Sequence, residues 1–114
     1  MRLFRRAPSI EPAAAAELIR TKHAILVDVR QPGEWDRGHI KEATHVPLAQ
    51  LSRRLQQLPR DRTIITVCQS GHRSARAART LTRTGHDAHN LRGGMNAVRA
   101  RLAPSVVVIT AFPC

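Results

Sequence analysis

A β-branched run, Thr63-Ile64-Ile65-Thr66-Val67, passes directly into the polar stretch Cys68-Gln69-Ser70-Gly71-His72-Arg73-Ser74, and an amphipathic pattern follows from Ser74 to Thr84. The first segment predicts a strand, because β-branched side chains fit a pleated, buried surface. The third predicts a helix, with Ala75, Ala77, Ala78 and Leu81 on one side and Arg73, Arg76, Arg79 and Arg83 on the other. Strand, loop and helix in this order place Cys68 at a strand's carboxyl end, facing a helix N-terminus. That terminus offers unpaired N–H groups and a partial positive charge, which suits an anion. A thiol held there ionises more readily than a free one, and the neighbouring Arg73 guanidinium acts in the same direction. Gly71 lets the backbone take a positive φ or come close to a ligand. Ser70 and Ser74 offer hydroxyl donors, and Gln69 an amide. A cysteine buried only for packing needs no such donors around it.

The rest of the chain repeats the alternation. Pro12 opens an alanine-rich helix, Ala13 to Ile19, after a poor cap at Glu11. Ala24-Ile25-Leu26-Val27-Asp28-Val29 reads as a buried strand, and Glu34 to Arg37 as one helical turn closed by Gly38. Ala43 to Val46 is a weak strand ended by Pro47. Leu48, Leu51, Leu55 and Leu58 then fall at helical spacing, which predicts a helix that Pro59 stops. Asp87 to Leu91 predicts a short strand, and Gly93-Gly94 turns the chain into a last helix, Met95 to Arg101. Short apolar strands alternating with helices predict an α/β fold: a parallel sheet of about five strands with helices on both faces. Ligands of such sheets bind beyond the carboxyl ends of strands, where Cys68 lies. Ser105 to Thr110 has strand character, but its place in the sheet is not set by the pattern.

With 114 residues the chain is expected to form one domain, at 9–102, between a basic arm at 1–8 and a tail at 103–114 whose role the sequence does not define. The arm lacks the apolar stretch of a signal peptide, and no apolar run is long enough to span a bilayer. Two distant cysteines, Cys68 and Cys114, make no disulfide framework, and a working thiol suits a reducing, cytoplasmic setting. Cys114 reads as a frayed terminus rather than a resolving thiol. The net charge of +11 comes almost wholly from arginine. The arginines are dispersed and are not interleaved with aromatic side chains, which argues against nucleic acid and for a solvated basic surface that attracts small anions. His86 and His89 lack further ligands at metal spacing, so no metal is expected, and no phosphate loop or other cofactor motif is present. A Cys–His–Asp hydrolase assembled from Cys68, a histidine and Asp28 finds no support in spacing.

With these residues in hand, the chain resembles the rhodanese (thiosulfate sulfurtransferase) homology domain in its small single-domain form. Three motifs carry the resemblance in order: Leu26 to Trp35 with Gly38-His39-Ile40 and then Val46-Pro47-Leu48, the Cys68 to Ser74 loop, and Asn90-Leu91-Arg92-Gly93-Gly94-Met95. Lys41-Glu42 and Val98 depart from the family pattern. The resemblance implies a five-stranded parallel sheet and a sulfurtransferase. Cys68 would take the outer sulfur of a small anionic donor such as thiosulfate, becoming a persulfide held by the backbone N–H groups of Gln69, Ser70, Gly71, His72, Arg73 and Ser74. A thiol, a cyanide-like acceptor or a protein sulfur acceptor would then remove it. Asp28 and Arg30 would tie loops together beside the site. Two alternatives remain open: a cysteine-dependent phosphatase or arsenate reductase of related fold, and a non-catalytic binding module. The phosphatase signature places five residues between cysteine and arginine; here there are four, Gln69 to His72.

Overall fold

The computed structural model describes residues 7–101 and 109–110 of the chain. Its central strands are β2 (Ala24–Asp28) and β5 (Thr63–Val67), paired in parallel along their whole length from Ala24 with Thr63 to Asp28 with Val67. β6 (Ala88–Leu91) and then β1 (Ser9–Ile10) extend the sheet on one side, and β4 (Thr44–His45) on the other. The order β1-β6-β5-β2-β4 is parallel throughout. β2 and β5 are covered on both faces, which is why their sequences run apolar instead of alternating with polar residues.

Each face carries its own core. On one, Leu26, Ile65, Val67 and Leu91 pack with Ala15 and Ala16 of α1 (Pro12–Arg20) and with Met95 and Val98 of α5 (Gly94–Arg101). On the other, Val27, Val29, Ile64 and Ala88 pack with Ala77, Ala78 and Leu81 of α4 (His72–Arg83), and Leu51 of α3 (Leu51–Arg54) joins them. Cys68 belongs to this second core. The period-two alternation of β5 therefore sends Cys68 toward α4.

The α/β architecture predicted above is what forms, with differences in detail. α4 begins at His72, two residues before the expected start, because Gly71 takes φ +114° and lets the loop turn straight into the helix. The segment after Pro47 is not one helix. It is a 3-10 turn at Leu48–Gln50, the single α turn of α3, and a second 3-10 turn at Leu55–Gln57. Arg54 leaves the helical region at the second joint, with φ −115° and ψ 10°, and the tightened path buries Leu51 and Leu58 while leaving Leu48 and Leu55 half-covered. The turn around Glu34 is a short helix, α2 (Pro32–Asp36). β1 and β3 (His39–Ile40) are two-residue strands without a sequence signal of their own. β3 pairs antiparallel with β7 (Ile109–Thr110), which places one piece of the tail. Arm residues 1–6, the rest of the tail and Cys114 lie outside the described residues. No helix among the described residues is long and apolar enough to cross a membrane.

Candidate active site

Cys68 is 1% exposed at the end of β5. Its Sγ receives the Gly71 N–H at 3.1 Å, the Ser74 N–H at 3.4 Å and the Ser74 hydroxyl at 3.3 Å. Burial pushes the thiol up and is the largest single influence on it. The Ser74 hydroxyl and the N–H groups of Ser74, Gly71 and Ser70 together outweigh it, so the pKa lies below the ordinary thiol value. The Arg73 guanidinium holds its own proton more tightly than usual, chiefly through Glu34 and further through Cys68. The N–H and hydroxyl donors around the sulfur favour the thiolate over the thiol.

The residues named in the loop divide in their roles. Gly71 and Ser74 donate to the sulfur. Ser70 contributes its N–H, while its hydroxyl lies 3.3 Å from His72 Nδ1, away from the thiol. Both side chains are exposed. The Gln69 amide is not one of the sulfur's donors. Its Oε1 accepts from Arg30 Nη1 at 3.3 Å and its Nε2 donates to Asn96 Oδ1 at 2.7 Å. Gln69 therefore braces the loop between β2 and α5.

The scaffold around the loop is tied from three sides. Met95 N–H donates to the Cys68 carbonyl at 2.8 Å and Asn96 N–H to the Gln69 carbonyl at 3.0 Å, so the N-terminus of α5 closes on the loop backbone. A Cβ at Gly94 would collide with the Cys68 carbonyl oxygen, which accounts for a glycine there. Asn90 holds the far side, with Nδ2 donating to the Gly71 carbonyl at 3.3 Å and Oδ1 accepting from the Ser74 hydroxyl at 2.5 Å. Ser74 has one hydroxyl proton, so Asn90 and the Cys68 sulfur compete for it. On the third side, Glu34 accepts from Arg73 Nη1 at 2.6 Å and Nη2 at 2.9 Å, a bidentate pair. Arg73 holds the Glu34 carboxyl well below the ordinary 4.5, at about 2; burial opposes this and the Gln31 N–H assists it.

Sequence reasoning attached no role to Glu34, Asn90 or Asn96. Glu34 was visible only as part of the first motif. Its placement depends on α2, where it forms a capping box with Gln31. Trp35 follows it and stacks on His39 at 3.5 Å and His45 at 4.5 Å between ring centroids, pinning α2 beside the loop. Asp28 and Arg30 form a buried pair at 2.9 Å, and Arg30 also reaches the Gly38 carbonyl. With its carboxylate engaged by Arg30, Asp28 cannot orient a histidine toward Cys68. His89 instead lies beside Asp87, and His86 is buried after α4.

A parallel five-stranded sheet with a cysteine loop at a strand's carboxyl end defines the class. The rhodanese-like domain family model matches residues 11–101, and the chain belongs to that family. It is 42% identical over 74 residues to the uncharacterized protein YqhL of Bacillus subtilis, a match covering 64% of this chain and 59% of that protein. It is 37% identical over 79 residues to a sulfurtransferase of Allochromatium vinosum, covering 68% and 74% of the two chains. Among solved structures, a rhodanese-related protein from Thermoplasma volcanium superposes with a TM-score of 0.75 at 29% identity, over 82% of this chain and 93% of that one.

Proposed function

We propose that this domain is a sulfurtransferase that carries a sulfane sulfur on Cys68. The observation that carries the reading is the buried Cys68 sulfur, ringed by the Gly71 N–H and the Ser74 N–H and hydroxyl. Such a ring stabilises a thiolate and, after reaction, the anionic outer sulfur of a persulfide.

The reaction runs in two displacements. The Cys68 thiolate attacks the outer sulfur of a small dianionic donor of the thiosulfate type. A new S–S bond forms, the donor's own S–S bond breaks, and sulfite leaves with that electron pair. An acceptor thiolate or cyanide then attacks the outer sulfur of the persulfide, and Cys68 departs again as thiolate. Lowering the Cys68 pKa helps twice, since the same group is nucleophile first and leaving group second. The free thiol this requires suits a reducing compartment such as the cytoplasm.

The test is thiocyanate formation from thiosulfate and cyanide, alongside intact mass after thiosulfate alone. The expected results are turnover in the wild type, one added sulfur atom per chain, and loss of both in Cys68→Ser. Hydrolysis of an aryl phosphate that disappears in Cys68→Ser would instead support a phosphatase.

A further inference from the structure

A groove of about 670 Å3 opens beside the start of α4, with Arg73 of the cysteine loop on its wall. That is within the ~300–1,000 Å3 of clefts that enclose small organic ligands, and a donor of thiosulfate's size would leave most of it empty. Pro32, Pro47 and Leu48 line it opposite Arg73, Arg76 and Thr80, which share one face of α4. Arg73 adjoins Ser74, whose N–H and hydroxyl donate to the Cys68 sulfur, and Val29 on the groove wall packs in the same core as Cys68, so this end of the groove borders the loop that carries the reacting atom.

The charge in the groove is unbalanced. No lining residue is acidic. Both carboxylate oxygens of Glu34 are spent on Arg73. Arg76 is exposed and makes no ion pair among the described residues. Arg79 and Arg83 belong to the same helix and do not line the groove. The arginine stripe that the sequence shows as one basic face thus contains a single residue with an uncompensated fork in this groove. A guanidinium fork matches a carboxylate, and the proline and leucine surfaces match a short methylene stem.

We propose that this groove is the acceptor subsite and that Arg76 selects small thiols bearing a carboxylate. The proposal rests on the persulfide reading above. The acceptor's carboxylate sits on Arg76 and its sulfur approaches Cys68 past Arg73. The acceptor thiolate supplies the electron pair for the new S–S bond, the bond between Cys68 Sγ and the outer sulfur breaks, and its pair stays on Cys68. The outer sulfur leaves with its proton as the acceptor's persulfide, so no outside oxidant or reductant enters.

The experiment separates loading from unloading. Wild type, Arg76→Gln, Arg76→Lys and Arg79→Gln are each treated with thiosulfate, and the added sulfur is read by intact mass. The loaded proteins then meet mercaptopropionate or mercaptoethanol, with rates normalised to thiolate concentration. The expected result is a wild-type preference for the carboxylated thiol that falls roughly tenfold in Arg76→Gln, recovers in part in Arg76→Lys and persists in Arg79→Gln. An unchanged preference in Arg76→Gln overturns the proposal. So does an equal loss in Arg79→Gln, which would reduce the effect to general attraction by a basic surface. A wild type that never gains sulfur contradicts the sulfurtransferase reading itself, and this proposal with it.

Discussion

At the end of β2 the Asp28 carboxylate is enclosed by Arg30, which donates from its backbone N–H, its Nε and its Nη2, while the same guanidinium reaches the Gly38 carbonyl and the Gln69 amide. One strand over, at the end of β5, the Cys68 sulfur meets N–H and O–H donors from Gly71 and Ser74. Both are buried groups held by donors. The first is saturated and has nothing left to offer a ligand. The second is electropositive around the atom that carries the sulfur in the proposed reaction. Gln69 joins them, so the closed cluster serves as the abutment against which the open one is held.

Five substitutions break or sharpen this contrast. The largest effect on chemistry belongs to Cys68→Ser, which should abolish sulfur uptake and thiocyanate formation while leaving the thermal melt nearly unchanged, since a hydroxyl accepts from the same donors. The largest effect on stability belongs to the closed cluster. Arg30→Met strands a buried carboxylate and should cost about 3–5 kcal/mol in urea unfolding, and adding Asp28→Asn should restore part of it. An Arg30→Met protein as stable as wild type would show that the pair does not act as a brace.

Ser74→Ala removes one donor from the sulfur. Alkylation of Cys68 at neutral pH should slow several-fold, with its pH profile moved upward, because a hydrogen bond to the thiolate is lost. Glu34→Gln gives the smallest change, about 1 kcal/mol or less, because the pair with Arg73 is partly exposed. Its sign is fixed by the depressed carboxyl. The wild-type advantage should be complete above the ordinary 4.5 and vanish as pH falls through about 2, read as the difference between acid-unfolding curves.

What the sequence made legible follows the range of the forces involved. Thr63 to Val67 is read to the residue, because β-branching and burial act locally. α1 and the turn at Gly71 are legible for the same reason. The broken path after Pro47 is not, since the spacing of Leu48, Leu51, Leu55 and Leu58 is helical whether the turns are α or 3-10. β1 and β3 are two residues each, too short for any periodicity. At the site, Cys68 and Ser74 could be placed from their spacing across a helix start. The partners that organise them lie far away in sequence: Glu34 is 39 residues before Arg73, and Asn90 is 16 after Ser74. Gln69 shows the converse. Its amide was a reasonable donor by proximity, yet Arg30 and Asn96 claim it, and only the tertiary structure decides between them.

The proposed reaction depends on one event, capture of a sulfur by Cys68. Intact mass after brief thiosulfate treatment in the absence of reductant reads it before any acceptor is known. The wild type should gain one sulfur atom, lose it on adding cyanide, and Cys68→Ser should gain none. A wild type whose mass does not change, or a Cys68→Ser protein that gains the same sulfur, would contradict it.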